Sequence, residues 1–305
     1  MSNPETITAS TPQKESINEN RLEVINLSSY VAGKKIKSDK VLEVRSPYDN
    51  RLVGTVKLAN SSHVQEAIEF VLSKEKERLA LTKYERYSIL EKARNLFLER
   101  KEEFAQIISA ESGLAIREAR YETGRTQDVF LFAGIETLND DGQIFSCDIT
   151  PHGKARKIFT LRQPLSLAVC ITPFNHPLNQ VTHKILPALA VGTPVILKPS
   201  EKTPLSAIKL AELLFEAGLP DYMLSVLLGP TNEIAEPLVK DPCVAIVSFT
   251  GSVAVGKHIA AIAGYKKVIL ELGGNDPLII MEDADMEKAV FLASEGSFRN
   301  SGQRC

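Results

Sequence analysis

The sequence has no tryptophan, only five histidines and four cysteines in 305 residues, and no run of about 18 apolar residues. The missing apolar run leaves no candidate membrane-spanning helix, and the polar first residues hold no hydrophobic signal core. Cys147, Cys170, Cys243 and Cys305 are far apart and form no CxxC pair. That excludes a zinc ribbon and a disulfide framework, gives no metal site, and makes a reducing cytosol the expected compartment. Histidine is scarce and Cys305 has no local His partner, which disfavours a papain-like Cys–His pair, although such partners can be distant in sequence. An excess of one charge is missing too. Lys and Arg number 36 against 38 Asp and Glu, so nothing draws the chain to nucleic acid or an anionic membrane.

What is present is a globular composition, 44% hydrophobic and 24% charged, long enough for one large or two ordinary domains. Residues 1–20 are rich in Ser, Thr, Asn, Glu and Pro and are expected to form a disordered tail. Over 22–56, short apolar runs alternate with turn signals (GKK at 33–35, SPYDN at 46–50), which predicts a small antiparallel piece. A helix is expected to start near 61–66, with Ser62 as N-cap, and residues 63–140 to be mostly helical, one helix ending at Gly113. Strand signals follow at 144–145, 158–161 and 165–171. Apolar strands at 194–198, 224–228, 244–249 and 267–272 then alternate with helices at 203–216, 232–239 and 253–263. This rhythm predicts an α/β protein built on a doubly wound parallel sheet.

In such sheets, ligands sit beyond the carboxyl ends of the strands, and several motifs fall there. The run TPFNHP at 172–177 puts Asn175 after one strand, where its amide suits either an oxyanion or the cap of the next helix. KPSE at 198–201 follows another strand; a strand-end Lys is ordinarily a solvated charge. FTGSVAVG at 249–256 opens a helix with small residues that would let a phosphate approach, yet it is neither a P-loop nor GxGxxG, and a tight turn explains it equally well. Glu271 ends a strand before Leu272, Gly273 and Gly274, and Cys305 closes the polar run NSGQRC at 300–305. A thiolate and a carboxylate can share acyl chemistry, although a strand-end acid and a buried thiol are also common structural residues.

Together ELGGNDP at 271–277, SGQRC at 301–305 and the motifs above resemble the aldehyde dehydrogenase superfamily, from about residue 22 to 305. The resemblance implies a Rossmann-like cofactor domain over 21–271, with an N-terminal helical and hairpin segment and an oligomerisation hairpin near 144–163. It also implies the start of a catalytic domain at 272–305 whose remainder is largely missing. By the same resemblance Cys305 is the nucleophile, Glu271 the general base and Asn175 an oxyanion donor beside the Cys305 amide. NAD or NADP would be held by Thr172, Pro173, Phe174, Lys198, Ser200, Glu201, Gly229, Phe249, Gly251, Ser252, Gly256, Leu272 and Gly273. Glu201 favours NAD, while Lys198 and Lys202 leave NADP open. Arg125, His176 and Arg304 resemble residues of members acting on small or anionic aldehydes, among them phosphonoacetaldehyde, glyceraldehyde 3-phosphate and lactaldehyde dehydrogenases. Two guanidinium groups would suit a phosphonate or carboxylate, although surface arginines and a packed His are the plainer reading. Phe174 departs from the family's usual Trp. A homo-oligomer with a small aldehyde substrate is the implied assembly. A chain ending on its nucleophile is expected to turn over aldehyde negligibly. A dinucleotide-binding module without catalysis and a structural protein reusing the scaffold stay open.

Overall fold

The computed structural model describes residues 23–139 and 142–304; the expected tail at 1–20 and Cys305 lie outside the described residues. The chain starts with β1 (Ile25–Ser28), β2 (Tyr30–Val31), β3 (Lys34–Lys35), β4 (Val41–Arg45) and β5 (Leu52–Lys57). Five helices follow: α1 (Ser61–Ser73), α2 (Glu75–Ala80), α3 (Lys83–Glu99), α4 (Lys101–Ser112) and α5 (Ile116–Leu138). A short hairpin, β6 (Ile144–Phe145) and β7 (Ile158–Phe159), comes next. The alternating part runs β8 (Ala168–Ile171), α6 (Asn179–Ala190), β9 (Val195–Lys198), α7 (Leu205–Glu216), β10 (Leu224–Val226), α8 (Ala235–Lys240), β11 (Ile246–Thr250), α9 (Val253–Ile262) and β12 (Lys267–Glu271). Last is α10 (Met286–Phe298), followed by a single 3₁₀ turn, Arg299–Gly302.

The main sheet has the order β12-β11-β8-β9-β10-β2-β3, and its first five strands are parallel. Strands β8, β9 and β10 are buried along their whole length, as continuous apolar runs covered on both faces require. Alternate residues face two cores. Ala168, Cys170, Val195 and Leu197 pack with residues from α3 to α7, whereas Val169, Ile171, Ile196 and Val247 pack with α1, α8 and α9.

Two expectations need correction. The N-terminal segment is not a separate antiparallel piece. β1 pairs in parallel with β5, β4 pairs antiparallel with β5, and β2 joins the main sheet beside β10. The chain thus uses β2 and β3 to cover the edge of β10, a pairing across nearly 200 positions of sequence that no local pattern reveals. Nor is Ser62 the cap of α1. Asn60 is, accepting from the Ser62 and His63 amides at 3.1 and 3.3 Å, while His63 Nδ1 accepts the Asn60 amide. Gly113 does end α4, in the left-handed conformation (φ 75°) that glycine adopts without strain. No described helix is long and apolar enough to cross a membrane.

Neither α6 nor α7 has a local side-chain cap. Their first amides are closed from α4 and α5 instead. Glu111 accepts from the Leu205 and Ser206 amides at 2.7 and 3.1 Å and from Ser206 Oγ at 2.5 Å. Glu122 Oε1 accepts from the Leu178 and Asn179 amides at 2.9 and 2.8 Å. Both glutamates are 1% exposed. Removal from water outweighs the hydrogen bonds Glu111 accepts, the nearby charge of Glu122 pushes the same way, and its pKa is raised to about 7 from the ordinary 4.5.

Because the Glu111 pKa is higher in the folded than in the unfolded chain, its contribution to stability is fully present below the unfolded value and is lost as pH rises through the folded one. Urea unfolding of wild type and E111Q between about pH 5 and 8 checks this. The wild-type advantage over E111Q should shrink as pH rises; a flat or growing difference would contradict it.

Candidate active site

The strand order reverses at β8: β9 lies on one side of it and β11 on the other. Such a switch point opens a crevice beyond the carboxyl ends of the two strands. The segment after β8 carries Thr172, Pro173, Phe174, Asn175 and His176, and Gly251 and Ser252 follow β11. Glu271 is the last residue of β12, and Lys198 ends β9. Topology therefore gathers these residues at one end of the sheet.

Asn175 does not cap α6. Its Nδ2 donates to the Gln303 carbonyl at 2.9 Å, and its buried Oδ1 has no partner. Asn300 binds the same turn, donating to the Asn175 and Gln303 carbonyls at 3.1 and 3.0 Å. Asn300 and Ser301 take left-handed φ values of 55° and 56°, and Arg299 Nε pairs with Glu118 Oε2 at 3.1 Å. The turn before position 305 is thereby fastened both to the loop after β8 and to α5.

One face of β12 packs through Val268 and Leu270 on the second core. The other presents Lys267, Ile269 and Glu271 to an open cleft of about 1480 Å³, larger than the roughly 300–1,000 Å³ of a small-ligand pocket. His176, Lys184, Arg125 and Arg304 line the same cleft. Lys184 Nζ donates to Ser248 Oγ at 2.9 Å; burial holds its pKa below the ordinary value, while Cys170 and Glu271 pull it up. Arg125 and Arg304 are exposed and His176 is half-buried, with Nδ1 3.5 Å from Glu122 Oε2. Among the thiols, Cys170 is fully buried and pushed up to about 12 by burial, so it is no nucleophile.

The motif residues behave in different ways. Lys198 is 7% exposed, not a solvated charge, and its Nζ lies 3.2 Å from Glu201 Oε1. Ser252 caps α9, its side chain accepting from the Val255 amide at 3.3 Å. Packing explains two of the glycines. A Cβ at Gly229 would stand 2.6 Å from the Ala59 carbonyl oxygen, and one at Gly256 would stand 2.3 Å from the Leu272 side chain. At Gly273 a Cβ would meet only Val253, at 3.7 Å. Thr172 and Thr250, at the ends of adjacent β8 and β11, bury hydroxyls that have no partner. Unmet polar atoms there, with the helix start at Ser252 and the Lys198–Glu201 pair, fit a polar ligand such as a dinucleotide. Sequence reasoning missed Lys184, Glu122 and Asn300. The signal for Lys184 was a lone cation within the apolar helix NQVTHKILPALA.

An open α/β sheet with polar residues gathered at its switch point is the architecture of a nucleotide-cleft protein. Residues 34–305 match the model of the aldehyde dehydrogenase family, and the chain belongs to that family. It is 41% identical over 276 residues to a 3-sulfolactaldehyde dehydrogenase of Priestia aryabhattai, covering 90% of this chain and 57% of that protein. It is 40% identical over 265 residues to aspartate-semialdehyde dehydrogenase 1 of Pseudomonas canavaninivorans, covering 87% and 56%. The chain therefore spans a little over half the length of these relatives. Among solved structures, it resembles an NADP-dependent glyceraldehyde-3-phosphate dehydrogenase from Bacillus halodurans C-125 complexed with NADP. The TM-score is 0.88 at 31% identity, over 92% of this chain and 60% of that one. Aldehyde dehydrogenase 21 from Physcomitrella patens, in complex with the reaction product succinate, gives a TM-score of 0.87 at 34% identity, over 93% and 60%.

Burying an unpaired hydroxyl costs stability, so T172V and T250V should each leave the fold intact and raise the unfolding free energy by about 1 kcal/mol. Urea denaturation measures this. A loss of stability in both would mean that the hydroxyls are already satisfied in the folded chain.

Proposed function

We propose that the protein carrying this chain oxidises a small anionic aldehyde to a carboxylic acid, using NAD or NADP. The observation that supports this best is the convergence of Glu271, Lys184, His176, Arg125 and Arg304 on one cleft, of which His176 and Arg304 adjoin the Asn175–Gln303 contact in the chain. A nicotinamide dinucleotide, when bound, supplies the hydride acceptor. Thr172, Thr250, Ser252, Lys198 and Glu201 would hold it. In this reading Cys305 Sγ attacks the aldehyde carbon, and the Asn175 amide and the Cys305 backbone amide stabilise the oxyanion. Once the carbon has been oxidised to the thioester, Glu271 takes a proton from water, the water oxygen attacks the thioester carbon, and the thiolate leaves. Arg125, His176 and Arg304 surround the far end of the substrate with positive charge and donors, which suits a carboxylate, phosphonate or sulfonate. Relatives named for sulfolactaldehyde and aspartate semialdehyde, which carry a sulfonate and a carboxylate, support that class. The exposed apolar side chains of the β6–β7 hairpin, Ile144, Phe145, Ile158 and Phe159, support a homo-oligomer in which the hairpin pairs with another copy.

The test is formation of reduced nicotinamide from matched anionic and neutral aldehydes, with the protein at the full length its gene encodes. The anionic aldehyde should be preferred. N175A should lower kcat by about 10²–10³-fold. E271Q should give one rapid turnover and then stall at the thioester, as read by a stopped-flow burst. Absence of turnover with every aldehyde, or full steady-state activity in E271Q, would overturn the reading.

A further inference from the structure

Glu122 is 1% exposed, and only one of its oxygens is accounted for. Oε1 closes the first turn of α6; Oε2 is buried and has no hydrogen-bond partner. Facing Oε2 is His176 Nδ1 at 3.5 Å, at the outer limit of hydrogen-bond range. His176 belongs to the loop after β8, and its own carbonyl accepts the Gln180 amide at 3.0 Å, so its backbone is fixed at the start of α6. One buried carboxylate thus touches the helix start, the loop that carries Asn175 and a ring that lines the cleft.

We propose that Glu122 is a positioning residue that holds His176 by Nδ1 and so aims Nε2–H at the anionic end of the substrate. A carboxylate only accepts, so Nδ1 must carry a hydrogen when it faces Oε2. The ring's opposite nitrogen then points away from the buried side and towards the cleft. With a substrate anion bound, both ring nitrogens donate, one to Glu122 and one to the anion. Glu122 sets the orientation without touching substrate, in the way a buried carboxylate orients a histidine ligand. The inference rests on the anionic-aldehyde reading for its consequence, but the orientation of the ring can be read without any turnover.

The orientation is tested first, by ¹⁵N NMR of the histidine ring nitrogens in the full-length protein, with H176N used to assign the His176 signals. Wild type should show a protonated Nδ1. In E122Q the amide oxygen can still serve the two α6 amides while its NH2 faces the ring, so Nδ1 should become unprotonated. An unprotonated Nδ1 in wild type, or the same state in both proteins, would overturn the proposal even if the enzyme prefers anionic aldehydes. The consequence is tested by the ratio of kcat/KM for a carboxylate-bearing aldehyde to that for a neutral aldehyde of equal length. E122Q leaves Nε2–H in place but gives up the second ring proton and its positive charge, so it should lower this ratio about tenfold, mainly through KM, and E122Q with H176N should lower it no further than H176N alone. Equal losses for both aldehydes, or additive effects in the double variant, would reduce Glu122 to a cap of α6 and overturn the proposal. If the NMR states are as expected but wild type oxidises neither aldehyde, the orienting contact stands and the assigned function falls.

Discussion

Two buried carboxylates, Glu111 on α4 and Glu122 on α5, hold the starts of the two helices that follow β9 and β8. The helices that follow β8 and β9 begin beneath α4 and α5, where water cannot reach their first amides and no local residue caps them. Each glutamate supplies the missing acceptors from a neighbouring helix of the same layer. An acid in such a place is tolerated because the free N–H groups of a helix start carry partial positive charge. The result is that the loops after β8 and β9, which hold Asn175, His176 and Glu201, leave the sheet in fixed directions.

That rigidity contrasts with the cleft. The interior of β8, β9 and β10 is closed and apolar, whereas Glu271 and its neighbours on β12 face open space. None of the residues of α10 is buried, although Val290, Phe291 and Leu292 are large and apolar. Thr172, Thr250 and Asn175 keep buried polar atoms without partners at the mouth of the sheet. Each such atom costs stability, and others lie on the helices, at Thr126, Asn179 and Glu122. What sets Thr172, Thr250 and Asn175 apart is their place at or just after the carboxyl ends of β8 and β11, where an open sheet of this kind has its crevice.

Much of this was legible from residue order. Apolar runs such as the one that makes β9 identify parallel strands, and Gly113 marks a helix end by its own backbone chemistry. Local signals fail where two suitable residues stand together. Asn60 and Ser62 are both good N-caps, and only the backbone path decides that Asn60 reaches the free amides. They fail further where the partner is remote, as for β2 beside β10 or β1 in parallel with β5. Glu122 in the run YETGR reads as one more charge on a helix surface, because burial belongs to the assembled layers and not to the helix.

The sequence by itself determined the alternating strands and helices, the family, and which residue types stand after each strand, since these depend on side-chain chemistry and short-range periodicity. The tertiary structure alone decided which of those residues meet. It put the amide of Asn175 on the Gln303 carbonyl and set Glu122 behind His176. Those relations depend on distances between atoms far apart in the chain, and such distances exist only once the sheet and its two helical layers have packed.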